Sequence, residues 1–152
     1  MDLRTTRTIR SAIEIRAPAD VVWRVLTDFE SYPEWNPHLR RVRGTPAEGG
    51  RLTVHSRPPG GRAVVFRPVI VRWAPPRELR WLATLFSARL FRAEHGFRVE
   101  PVSQDRVRLV QDETFRGLLI PLYSAVRLRA TRRGFEQMNA ALRERAESEA
   151  AR

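Results

Sequence analysis

The chain has 152 residues and a formal net charge of +11, and all 28 of its basic side chains are arginine. That length predicts a single domain, residues 1–152, with room for a real core. The absence of cysteine removes disulfides, thiol nucleophiles and thiolate metal sites. No apolar run is long enough to span a bilayer, and Met1 to Arg10 lacks the apolar block of a secretory leader, so a cytoplasmic location is expected. His38, His55 and His95 stand far apart without ligand spacing, and neither metal nor cofactor is expected.

Positive charge invites a nucleic-acid reading. The arginines, however, mostly alternate with apolar residues along strands, which places them on a solvated face. Only Arg127, Arg129, Arg132 and Arg133 cluster. A basic solvent surface is the favoured reading, with RNA or an anionic membrane surface as the weaker one.

The first strand is predicted from about Thr8 to Ile15, with Ile9, Ile13 and Ile15 on one parity. Pro18 suits a helical first turn, and Val21, Val22, Val25 and Leu26 follow at helical spacing. Phe29 to Trp35 reads as a second short helix stopped by Pro37. The period then changes to two. Strands are predicted at Leu39–Arg43, at Leu52 and Val54, and over Ala63–Trp73, where Pro68 favours an edge position or a bulge. Three more follow at Leu79–Phe86, Leu90–Val99 and Val107–Phe115, ended by Gly117. A last helix runs from about Leu118 or Pro121 to Glu147, with Leu128, Thr131, Phe135, Met138 and Leu142 as its apolar stripe.

Strand, two short helices, six strands and a long helix is an α+β order. The segment from Ala17 to Pro37, with its Trp35-Asn36-Pro37 corner, and the closing Arg132-Arg133-Gly134-Phe135-Glu136-Gln137-Met138-Asn139 resemble the START-like (SRPBCC) superfamily. Its members similar to this chain are often labelled polyketide cyclase/dehydrase-like. The resemblance implies a helix-grip fold, in which a curved antiparallel sheet, two short helices and a long C-terminal helix enclose an apolar cavity. It also implies a small hydrophobic partner that is aromatic, polyketide or lipid-like. By the same resemblance Trp35 and Asn36 line the cavity mouth; alternatively Trp35 plugs the core and Asn36 caps a turn.

The final hairpin carries the chemistry. Phe91, Ala93, His95, Phe97 and Val99 share one parity, and Val107, Leu109, Gln111, Glu113 and Phe115 share the matching one. A turn centred on Gln104 pairs Val99 with Leu109, Phe97 with Gln111 and His95 with Glu113, whereas a one-residue slip would turn arginines inward. Three polar groups therefore project into an apolar interior. His95 and Glu113 are the candidate acid–base pair, and Gln111 is a polar anchor. The alternative is that the pair merely satisfies itself in the core. Phe91, Phe97, Leu109, Phe135 and Met138 are candidate walls, with Trp81 as wall or packing. Tyr123, read near the start of the last helix, reaches a ligand or packs.

Two function classes follow: a carrier of a small hydrophobic molecule, or a cyclase-type enzyme using His95 and Glu113 for proton transfer. A basic module touching RNA or membrane is the third. A monomer or homodimer is expected.

Overall fold

The computed structural model describes residues 5–123 and 125–152; residues 1–4 of the stretch read for a leader lie outside them. Strand β1 spans Thr6–Ile15. Pro18 then holds an extended backbone, and its carbonyl accepts the Val21 and Val22 N–H groups to open α1, Ala19–Thr27. Asp20 sits in the first turn, where helix N–H groups favour a negative charge. The apolar spacing predicted for this helix is its buried face: Val22, Trp23, Val25 and Leu26. A 3-10 turn, Phe29–Ser31, runs into the four-residue α2, Tyr32–Trp35. The buried Tyr32 hydroxyl donates to the Leu26 carbonyl and ties the two helices together.

Strands β2 (Leu39–Gly44), β3 (Leu52–Ser56) and β4 (Val64–Phe66) form a three-stranded sheet. Strands β5 (Val69–Ala74), β6 (Glu78–Leu85), β7 (Phe91–Ser103) and β8 (Arg106–Arg116) complete a five-stranded sheet with β1, in the order β1-β8-β7-β6-β5. All pairings are antiparallel.

The run Ala63–Trp73 is not one strand with an interruption. It divides at Pro68 into β4 and β5, an edge strand of each sheet, so seven strands follow the helices rather than six. Proline has no N–H to give a ladder. Its carbonyl instead accepts the Leu52 N–H at 2.9 Å while Val69 bridges to Arg51, and the chain steps from one sheet to the other.

The last helix also begins later than its apolar pattern suggests. Gly117 has φ +135°, and a Cβ there would lie 2.3 Å from the Leu90 carbonyl oxygen. This close approach lets the N–H groups of Leu118 and Leu119 donate to the Arg89 and Leu90 carbonyls, each at 3.0 Å. A 3-10 turn, Ile120–Leu122, holds Pro121, and Tyr123 follows with an extended backbone. Helix α3 is Ala125–Ala150, so Tyr123 precedes it and is not on it. Thr131, Phe135, Met138 and Leu142 are buried as predicted, and Leu128 is partly so. The helix packs against β1 and α1 and grips the inner face of the sheet.

On the outer face, the Arg80 guanidinium reaches across β7 to Asp112 at 2.7 Å. Gly96 makes this crossing physical: a Cβ there would sit 2.1 Å from Arg80 Nη1. Glu94 also accepts from Arg80, at 3.3 Å.

Candidate functional site

The register places the candidate pair. Cα partners are Val99 with Leu109, Phe97 with Gln111 and His95 with Glu113, as the turn geometry predicts. The bulge between Pro101 and Ser103 is confined to the tip and does not propagate. His95 and Gln111 are buried, while 12% of the Glu113 side chain remains exposed. The His95 ring is held by aromatics on three sides: Phe97 stacked at 4.6 Å between centroids, Phe135 at 4.8 Å and Trp81 edge-on at 5.2 Å.

A directional relay fixes the state of this imidazole. Gln111 Nε2 donates to Asn139 Oδ1 at 2.8 Å, and Asn139 Nδ2 donates to Ser11 Oγ at 3.2 Å. Gln111 Oε1 is therefore the acceptor facing His95 Nε2 at 2.8 Å, which puts the ring proton on Nε2. Nδ1 is left as a lone pair, 3.8 Å from Glu113 Oε2.

That separation falls within ion-pair range, but an ion pair is not what the environment supports. Burial pushes His95 down to about 3 against the opposing Gln111 hydrogen bond, and His38 and Arg80 lower it further. Burial, with Asp112 beside it, pushes the Glu113 carboxyl up to about 8. A 3.8 Å contact is too long to be a hydrogen bond that would offset two desolvations, so desolvation decides. At neutral pH the pair is a neutral imidazole beside a protonated acid.

His38 belongs to this cluster although sequence spacing gave no reason to include it. It is buried, and its ring lies 5.7 Å from that of Phe135, which also packs on His95. Burial lowers it to about 4. Glycine at position 134 makes the space, since a Cβ there would fall 2.4 Å from His38 Nδ1. The signal was the small residue in the helix stripe, but its partner lies nearly a hundred positions away. His38 Nδ1 and Trp81 Nε1 are buried without a protein hydrogen-bond partner.

The remaining candidates divide into two groups. Trp81, Phe97, Leu109, Phe135 and Met138 keep at most 1% of their surface and pack as core behind His95. Phe91 and Tyr123 are partly buried and form a second cluster with Phe115, Ala93 and Ile120. There the Tyr123 ring stacks on Phe115 at 5.2 Å and lies 5.8 Å from Phe91. Burial and the nearby Glu113 raise the Tyr123 phenol, while Thr131 and Arg127 oppose the shift. Glu113 joins the two clusters.

The Trp35-Asn36-Pro37 corner sits elsewhere. The Asn36 side-chain oxygen accepts the N–H groups of His38 and Leu39 at 3.0 and 2.9 Å, capping the turn. Trp35 lines a groove of about 460 Å³ with Glu34, Ala141 and Arg145, against the C-terminal half of α3. Of this corner, it is the adjoining His38 that reaches the His95 cluster. Among the described residues, no three His, Asp or Glu side chains gather as a metal site.

Residues 6–147 match the family described as "Polyketide cyclase / dehydrase and lipid transport". The chain belongs to this family. Solved structures similar to this family member include the Zhui aromatase/cyclase from Streptomyces sp. R1128, at TM-score 0.76 and 18% identity over 94% of each chain. A START superfamily protein from Mycobacterium smegmatis aligns at TM-score 0.71 and 21% identity, over 93% of this chain and 97% of that one. Norcoclaurine synthase from Thalictrum flavum aligns at TM-score 0.67 and 15% identity, over 96% and 97%. At such identities these structures establish the fold, which is the START-like helix grip. No curated protein matches by sequence.

Proposed function

We propose that this polyketide cyclase/dehydrase-family domain binds a small, flat, hydrophobic molecule, aromatic or polyketide-like, between the Phe91–Phe115–Tyr123 cluster and Glu113. The supporting observation is the division of the interior. Around His95 the aromatics are closed against one another, whereas Phe91, Tyr123 and Glu113 keep exposed surface at the end of the sheet. Apolar burial would supply affinity, and the carboxyl and phenol would supply orientation.

A second reading rests on the protonation states. An acid titrating near 8 beside an imidazole lone pair is suited to proton transfer at a carbonyl. Glu113 would donate to the carbonyl oxygen while His95 Nδ1 accepts a proton from the adjacent carbon. Gln111 would hold the ring in the tautomer this requires.

Titration with a neutral hydroxyanthraquinone, followed by quenching of tryptophan emission, tests both. Micromolar affinity is expected, equivalent to about −8 kcal/mol. Tyr123→Ala should weaken it at least about tenfold, as for loss of about 1.4 kcal/mol, and Trp35→Ala should leave it unchanged. The reverse pattern would move the site to the α2–α3 groove, and no saturable binding would remove the carrier reading. If the domain is a catalyst, Glu113→Gln should retain binding and lose about two to four orders of magnitude in turnover of a poly-β-ketone substrate.

A further inference from the structure

The end of the molecule that carries Phe91 and Tyr123 also presents an apolar surface that the interior does not use. Two turns meet there, joined by the hydrogen bonds from Leu118 and Leu119 to the β6–β7 turn. Phe86 is 83% exposed on one turn, Leu122 is 80% exposed on the other and Val126 is 65% exposed in the first turn of α3, with Leu85 and Leu118 also exposed. Phe86 also has φ +65°, a left-handed backbone that is costly for a bulky residue and holds its ring out in solvent. Residues 79–93 and 114–135 together contain eight arginines and neither aspartate nor glutamate. Arg89, Arg116 and Arg129 are exposed among the apolar tips.

We propose that this end docks on an anionic phospholipid bilayer, with Phe86 and Leu122 inserted at the headgroup–acyl boundary and Arg89, Arg116 and Arg129 on lipid phosphates. Charge complementarity selects the partner: arginines outnumber the one neighbouring carboxylate, Glu94 beside Arg92 and Arg116, and the inner-leaflet type of membrane is anionic. Shape selects it too. The apolar residues project as separate tips, which a fluid interface receives without a matching concave surface. No helix among the described residues is long and apolar enough to cross a membrane, so the attachment is interfacial and reversible. The inference does not depend on what the interior binds.

Co-sedimentation with phosphatidylcholine vesicles, with and without about 30% phosphatidylglycerol, tests it. Binding is expected only to the anionic vesicles. Phe86→Ser with Leu122→Ser, and separately Arg89→Glu with Arg129→Glu, should each lower partitioning at least about tenfold without moving Tm. In Phe86→Trp, the added emission should shift to the blue on anionic vesicles, which reads insertion directly even if the serine pair folds poorly. Three results would overturn the proposal: no binding to anionic vesicles, binding that survives the serine pair with no blue shift at position 86, or a wild-type dimer in sedimentation velocity that the serine pair dissolves.

Discussion

Replacing Glu113 with glutamine keeps the side chain's shape and removes its titration. In the folded protein this carboxyl is pushed up to about 8, against an ordinary value of 4.5. Above the ordinary value the unfolded chain therefore releases a proton that the native state keeps. Stability from this group is full at acid pH and falls until the folded value is passed. The slope approaches about 1.4 kcal/mol per pH unit, so the wild type loses on the order of 3 kcal/mol between pH ~4.5 and neutrality. His95 and His38 act in the opposite direction. Their values fall from 6.5 to about 3 and about 4, so their contribution is complete above the ordinary value and is lost as pH drops. The histidines thus own the acid limb and Glu113 the alkaline limb, with greatest stability near pH ~6.5. Urea denaturation from pH ~5 to ~8.5 measures this directly. Glu113→Gln should flatten the alkaline limb and exceed the wild type at pH ~8 by on the order of 4 kcal/mol. Parallel curves for the two proteins would show that Glu113 is ionised in the fold, and the acid–base reading would fall with that.

Phe135→Ala should cost about 3–5 kcal/mol in urea denaturation, since the ring is fully buried and packs on both His38 and His95; a change below about 1 kcal/mol would mean the helix face is not packed as described. Gly134→Ala gains about 1 kcal/mol of helix propensity but drives a methyl into the His38 ring, an overpacking worth about 1–3 kcal/mol. It should therefore be neutral to destabilising in the wild type and stabilising in a His38→Ala background, and equal effects in both would refute the contact.

What was legible in the sequence was the part governed by local alternation. The β7–β8 register followed from two apolar parities and a short turn, and it delivered His95, Gln111 and Glu113 to one interior face. The split at Pro68 was not legible, because apolar residues continue on both sides and only the hydrogen-bond partners change sheet. The start of α3 was misplaced for a related reason. Leu118, Leu119 and Ile120 look like an apolar helical turn, yet their N–H groups are committed to the β6–β7 loop and to Gly117. His38 and the Asn139 end of the relay depend on contacts between β-sheet, corner and helix, and no local period encodes those. The family resemblance pointed to the Trp35 corner, while the side chain that reaches the cluster comes just after it.

The relay behind His95 has a consequence for proton traffic. Carboxamides donate and accept hydrogen bonds, but they do not pick up and pass on protons as water, carboxyls or imidazoles do. With Gln111 and Asn139 in series between Nε2 and Ser11, the rear of the ring is insulated: its proton is held but has no route out. Any proton the imidazole gains or surrenders must cross at Nδ1, on the side facing Glu113. The ring is thus a base with a single door, and the group standing at that door is an acid that stays loaded until the pH approaches 8.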